Sequence, residues 1–398
     1  MAAGNVSIGE RIAILRRRHG WSQAVMAGRL GKSAQWLSYI ERGERSADRL
    51  SVLVPIAELL GVTVADLTDE RPAAVVRDAE HECVHAVRLT LSGFGFVGMD
   101  ASAHPVVDHD ALRERVRIAW DLTHEARYGE LGRVLPELVP DCERSAWIGR
   151  HAGGFRLVAE LYHAVAATMA ELGDADAAWV AADRSAVAAA HAGDTVLAAA
   201  SSFRLGHAFL SAGRLEQAAR TVEVAAQALL PAAWAGDPDA TALWGALNLV
   251  RAITAARTGD GSAALGAIGN AEAAAGRLGD RYHDRRFDTE FGARNVALHA
   301  VAVAVELGDG AEALRRWGDV DVSELSAERR ARLLVDVARA HALRRQGDAA
   351  MRALEEAEQL APEMIRFHWL ARETVLGLLR RRRGRATAGK VDLAVRMG

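Results

Sequence analysis

The chain has 398 residues, 50% of them hydrophobic and 25% charged, with a net charge of −3, which is the composition of an ordinary globular protein. Two cysteines, Cys83 and Cys142, cannot make a disulfide framework, and no apolar run approaches the ~20 residues of a membrane span. The opening MAAGNVSIGER lacks the parts of a signal peptide, so a cytoplasmic location, nucleoid-associated when bound to DNA, is expected.

Alanine is abundant among long Ala/Leu/Val/Arg/Glu stretches, and no run shows the period-two alternation of a strand. The chain is therefore expected to be all-α. Ser7 can cap a first helix over 8–19, in which Ile8, Ile12 and Leu15 share one face. Residues 21–43, WSQAVMAGRLGKSAQWLSYIERG, read as two short helices, 22–30 and 33–42, joined at Gly31. The oxygens of Ser22 and Ser33 can each accept an orphan amide of a first turn, and Gly31 sits where leaving a helix favours φ > 0. Ala24, Met26, Ala27 and Leu30 form one apolar face; Leu37 and Ile40 form the other. Two small helices meeting at a glycine turn make a helix-turn-helix, whose second helix enters the DNA major groove. A fourth helix over 50–61 contains Pro55, which kinks it or marks its start, and a short fifth is capped by Thr63. Residues 1–67 carry nine Arg/Lys against six acids, so the head is +3 and the remainder −6. Phosphate attraction is local, and a basic head on an acidic body suits it.

The head resembles the lambda-repressor-like, xenobiotic-response-element type of helix-turn-helix domain. The residues that carry the likeness are Ile12, Leu15 and Arg16, then Trp21-Ser22-Gln23, Leu30-Gly31, Leu37 to Gly43 (LSYIERG), and Ala57 with Leu60-Gly61-Val62. Val25 to Gly28 depart from that pattern, because the family has a more polar exposed position there and no glycine. The resemblance implies a double-stranded DNA operator as partner. It places base reading at Ser33, Ala34 and Gln35, with Ser38 one turn on, and a phosphate anchor at Gln23 beside Ser22. Gln35 is the best base reader, since an amide can bond adenine N6 and N7 together. Lys32, Tyr39, Arg42 and Arg45 are expected to hold phosphates.

Residues 69–110 read as a linker, an exposed helix over 74–91 and a loop. His81-Glu82-Cys83-Val84-His85 fits the H-E-x-x-H spacing of a zinc protease, with His104, Asp108 and His109 in reach as a third ligand. Some forty residues are too few to build a protease, so neither a catalytic nor a metal site is expected, and no cofactor.

From about residue 111 to 398 a repeat appears. Helices meet at Gly129-Glu130, Gly173-Asp174, Gly213-Arg214, Gly259-Asp260, Gly308-Asp309 and Gly347-Asp348, roughly every 40 to 50 residues. Small alanines fill the second helix of each pair, and Pro231 and Pro362 follow two of them; a terminal helix is expected over 362–379. These units resemble tetratricopeptide repeats, which stack into a solenoid with a concave groove lined by the first helices. Polar residues in those helices are the candidate ligand contacts: Arg204, His207, Asn248, Arg251, Glu290, Asn295 and His299. The seven tryptophans of the body are expected in packing.

A lambda-repressor-like head (1–68), a linker (69–110) and a tetratricopeptide-like body (111–398) resemble regulators of high-GC bacteria. The phrase EFGARNVALHAVAVAVELGD looks like theirs. The peptide-pheromone receptors of Gram-positive bacteria share the architecture but not the phrase. The resemblance implies a homodimeric transcription regulator, not an enzyme, controlled by a small molecule or short peptide. The alternative is an interaction scaffold whose body recruits a partner protein, with DNA binding as a tether.

Overall fold

Serine and aspartate side chains cap the starts of ten of the described helices. A computed structural model describes residues 7–68 apart from 20, 46, 48, 61 and 63, then 82–93, then 108–381 apart from 280, 281, 283 and 285. Every regular element among the described residues is a helix.

The head has five: α1 (Ile8–Arg18), α2 (Gln23–Arg29), α3 (Ala34–Glu41), α4 (Leu50–Leu60) and α5 (Val64–Thr68). Ser7 opens α1 with a capping box: its hydroxyl accepts from Glu10 N at 3.1 Å, and its own N–H donates to Glu10 at 2.9 Å. Pro55 lies inside α4, which runs on through it. The head's core is Ile8, Ile12, Met26, Leu37, Ile40, Leu53, Ile56 and Leu67, all buried.

Helix α6 (Glu82–Ser92) is not the exposed linker helix that the sequence suggested. Cys83, Val84 and Val87 are buried, and the helix packs against α8 (Tyr128–Gly149), where a Cβ on Gly132 would stand 2.6 Å from Cys83 Cα. Apolar residues three to four apart gave α6 a face to bury, and the body supplied the surface. Both cysteines are buried thiols outside any disulfide, and burial pushes each up to about 12.

The body stacks helical pairs: α7 (His109–His124) with α8, α9 (Ala152–Glu171) with α10 (Ala175–Ala192), α11 (Thr195–Ser211) with α12 (Leu215–Trp234), α13 (Pro238–Thr258) with α14 (Gly261–Leu278), α15 (Ala293–Glu306) with α16 (Gly310–Trp317), and α17 (Ala327–Leu343) with α18 (Gly347–Leu360). Gly173, Gly213, Gly259 and Gly308 all have positive φ, and Asp174, Asp260 and Asp309 cap the helices that follow. The same Gly-Asp device recurs between pairs, at Gly193-Asp194 and Gly236-Asp237. Pro231 lies within α12 rather than after it. The expected terminal helix is two, α19 (Pro362–Phe367) and α20 (Trp369–Arg381), broken where His368 is extended. Trp120 and Trp244 are packed as expected, but Trp179 and Trp234 are 47% and 57% exposed. Arg277 lies 4.1 Å over the Trp234 ring.

First helices line the inside of the stack: α7, α9, α11, α13, α15 and α17 contact one another in sequence. The curl brings the ends together. Helix α7 also meets α17, Arg332 of α17 pairs with Glu171 of α9, and Gly129 N donates to Glu363 of α19 at 2.7 Å. The head sits on this body through α4, which packs on α13. Val64 lies against Gly213, and the Arg49 guanidinium occupies the space a side chain on Gly308 would need.

Candidate functional site

Serine caps and glycines shape the reading head. Ser22 accepts from Val25 N at 3.2 Å and Ser33 from Trp36 N at 3.1 Å, so each fixes the first turn of its helix. Gly31 and Gly43 hold φ of +65° and +69° at the exits of α2 and α3. Gly28 faces open space, so its lost helix propensity of about 1 kcal/mol is the whole of its cost there. Gly9 is a tighter requirement, and the sequence did not single it out. A Cβ there would collide with the Ile40 carbonyl and stand 2.9 Å from that of Glu41, so α1 and α3 meet backbone to backbone.

Glu41 is the second residue that the sequence left without a role. Its buried carboxylate takes Arg16 Nε at 2.6 Å and Nη2 at 3.0 Å, and Gln23 Nε2 at 2.8 Å. The pair holds the Arg16 guanidinium above its ordinary pKa. Gln23, expected as a phosphate anchor, therefore spends one amide N–H inside the head.

The reading end of α3 stays open. Lys32, Ser33, Ala34 and Gln35 are exposed, in a fold where the body already covers α4. Gln35 Nε2 donates to the Tyr39 hydroxyl at 2.8 Å, which aligns the amide along the helix. Ser38 and Tyr39 are half-buried one turn on. Arg42 lies 5.4 Å from the Tyr39 ring and pairs with Glu44 at 3.2 Å; Arg45 is exposed beside them. Trp36 is half-buried against the core, with Lys32 Nζ 6.0 Å from its ring. The surface thus offers an amide, three hydroxyls and three cations along α3 and its exit, the set of groups that contacts phosphates and base edges.

The seven ligand candidates divide. Arg204, His207, Glu290, Asn295 and His299 gather on the inner side of the curl, around Arg329. They are not a free groove wall: the curl buries four of them and half-buries His207. Arg204 is 5% exposed and donates to the Phe287 and Asp288 carbonyls at 2.9 and 2.8 Å. Burial lowers its guanidinium to about 10. Burial, with Arg329 nearby, drives His207 well below its usual value and His299 down to about 3. Asn295 donates to the Thr289 carbonyl at 3.1 Å. Glu290 lies in the loop before α15 rather than in a helix. Asn248 and Arg251 go elsewhere. Asn248 is fully buried, donates to Trp244 O and accepts from Arg251 and Asn270, so its amide ties α13 to α14. Arg251 pairs with Glu223 at 2.8 Å and borders an open cleft of about 790 Å³ between α12 and α14.

In the H-E-x-x-H segment, Glu82 and His85 are exposed on α6, Cys83 and Val84 are buried, and His81 and His104 lie outside the described residues. Asp108 caps α7, and the His109 ring lies 5.3 Å from that of His151. Among the described residues no three His, Cys, Asp or Glu are grouped to hold a metal ion. No helix among them is long and apolar enough to cross a membrane.

Capped helices, a positive-φ turn and an open second helix define the head as a helix-turn-helix module. Residues 7–70 match the helix-turn-helix domain family. Over 68 residues the chain is 40% identical to an uncharacterised HTH-type transcriptional regulator (y4dJ) of Sinorhizobium fredii strain NBRC 101917 / NGR234, spanning 87% of that protein and 16% of this one. Through this segment the chain belongs to the HTH-type transcriptional regulators.

Proposed function

We propose that the protein is a homodimeric, sequence-specific transcription regulator whose tetratricopeptide-like body binds an effector and sets operator affinity. The observation that carries this reading is the open start of α3, with Gln35 exposed and held by Tyr39, on a head otherwise fixed to the body. One head offers few contacts, so two are needed, reading half-sites about one helical turn, or a multiple, apart. Ser33, Ala34, Gln35 and Ser38 read bases; Ser22, Gln23, Lys32, Tyr39, Arg42 and Arg45 hold the backbone. An effector acts only by binding one arrangement of the heads better than another. Helix α15 supports a route for this. Asn295 and His299 sit in its first half among the buried polar groups, and Gly308, two residues past its end, meets Arg49 of the head. Footprinting on the protein's own promoter region tests the reading. A protected palindrome lost in Gln35→Ala is expected. Absence of any protected site, with the body still capturing a partner protein, would favour a scaffold instead.

A further inference from the structure

Glu290 has a surrounding unlike that of the other buried acids on the inner face. Glu171, Glu306 and Glu328 each face an arginine: Arg332, Arg339 at 3.3 Å, and Arg329 at 3.5 Å. Glu290 is 4% exposed, and among the described residues its one ionisable neighbour within salt-bridge distance is His124, with Nε2 3.6 Å from Oε1. That imidazole is held below its usual pKa by burial, against the pull of Glu290 and Glu328, and so supplies no positive charge near neutral pH. His124 Nε2 and Glu290 Oε1 face each other beyond hydrogen-bond distance, and among the described residues neither they nor Asn295 Oδ1 has a hydrogen-bond partner. A buried carboxylate with no cation in salt-bridge contact is costly, and orphan polar atoms add to that.

The backbone that presents Glu290 is built for the purpose. Asp288 and Glu290 both hold positive φ, 50° and 53°, a region that costs a side-chain-bearing residue of order 1 kcal/mol. Asp284 secures the loop: its carboxylate accepts from Arg286 N at 2.9 Å, Phe287 N at 3.2 Å, and Thr289 N and Oγ1 at 3.2 and 2.5 Å. Arg204 holds it from the other side through two carbonyls, and Phe291 pins it into the notch left by Gly245. Strain secured on three sides ends in a carboxylate whose Oε2 takes one long N–H bond, from Ser326 at 3.4 Å, and whose Oε1 takes none, which marks a binding group rather than a packing one. The site reaches solvent past His124, whose side chain is 25% exposed.

We propose that Glu290, with His124 Nε2 3.6 Å away and Asn295 bonded to the adjacent Thr289 carbonyl, binds the ammonium group of an organic amine. This rests on the reading of the body as an effector domain and names the chemistry it takes. The carboxylate supplies the counter-charge, and the two orphan atoms accept the remaining N–H bonds. With no metal-type grouping among the described residues, an organic cation fits the donor set. The ammonium has two sources, a free small amine or the N-terminus of a peptide.

The test is calorimetric titration and melting of the full-length protein with putrescine and with trialanine amide. 1,4-Butanediol and N-acetyl-trialanine amide serve as neutral matches. At a hundredfold excess over Kd, at least one cationic probe should raise the melting temperature by about 5 °C, and its neutral match should not. Glu290→Gln should weaken that probe at least tenfold, and Arg251→Ala, in the outer cleft, should leave it unchanged. Which cation binds identifies the source. The wild-type comparison of cation with neutral match needs no variant to fold. Equal binding of the neutral match, no binding by either cation, or full affinity in a folded Glu290→Gln would overturn the site. Amine binding that leaves operator affinity unchanged would sink effector control while the site stands. Operator affinity that still responds to the probe in folded Glu290→Gln would sink the site alone.

Discussion

Arg16 and Glu41 are joined by two hydrogen bonds across the inside of the head, at 2.6 and 3.0 Å. The third arginine donor reaches the Trp21 carbonyl at 2.6 Å, and Gln23 adds an N–H to the same carboxylate. One acid at the end of α3 thus fixes α1, the approach to α2, and α2 itself. Breaking a buried pair from one side leaves the other charge uncompensated, at a cost of about 3–5 kcal/mol. Glu41→Ala should therefore lower head stability by about that amount in chemical denaturation, and Glu41→Gln by less. Operator binding should fall with it, because α3 loses its anchor. An unchanged midpoint would mean that the pair contributes nothing.

Gln35 and Lys32 stand three residues apart at the same helix start, yet their removal should read differently. Gln35→Ala loses an amide able to bond one base bidentately, so about 1–3 kcal/mol of discrimination at one operator position should disappear. Lys32→Ala should weaken all sequences alike and reduce the salt slope by about one charge. Gel-shift titrations on the operator and its single-base variants, at several salt concentrations, separate the two. Both substitutions lie on exposed residues and should leave melting unchanged.

The head was legible because its signals are local. Ser7, Ser22 and Ser33 cap within three residues, and Gly31 turns the chain where it stands. Gly9 was not legible, since its reason is the carbonyl of a residue on another helix. In the body, Gly-Asp phrases announce joints within pairs, while the same phrase at Gly193 and Gly236 marks joints between pairs that the repeat spacing does not single out. The curl could not be seen at all: Gly129 and Glu363, which it joins, are 234 residues apart. For that reason the inner polar residues read, from the sequence, as an open groove wall. Arg204 stood out as a polar residue in an apolar helix, but its partners are backbone carbonyls of a loop that no periodicity describes.

Gly308 has φ of +84° and the Arg49 guanidinium where a Cβ would go. Gly308→Ala should cost about 1–2 kcal/mol, part from the backbone and part from displacing the arginine. The displaced part should return in the double variant with Arg49→Ala, giving a coupling of about 1 kcal/mol in a double-mutant cycle. Melting of the full chain measures the sum, and protease sensitivity of the head measures its release. Strictly additive effects would show that this contact does not hold the head.

His299 gives the body a pH dependence whose sign can be worked out. It is 8% exposed, and burial lowers its imidazole to about 3, against about 6.5 unfolded. Between those values the unfolded chain binds a proton that the native one refuses. Stability present above pH 6.5 is therefore lost as the pH falls toward 3, by about 1.4 kcal/mol per unit. His368, also lowered to about 3, acts in the same direction, as do His163 and His207. Asp288 acts in the opposite one: burial raises it to about 7, so its native form keeps a proton and stability is lost as the pH rises from about 4 to 7. Because these contributions overlap, the wild-type profile cannot isolate one imidazole, but a difference can. His299→Asn removes one of the protons that the unfolded chain gains. It should be less stable than wild type at pH 7, from lost packing, and the gap should close by about 1.4 kcal/mol per unit between pH 6 and 4. Urea unfolding of both proteins at pH 7, 6, 5 and 4 measures that gap. A gap that stays constant would mean that the native imidazole takes up its proton as readily as the unfolded one, and that burial among Arg329 and Arg332 does not keep it neutral.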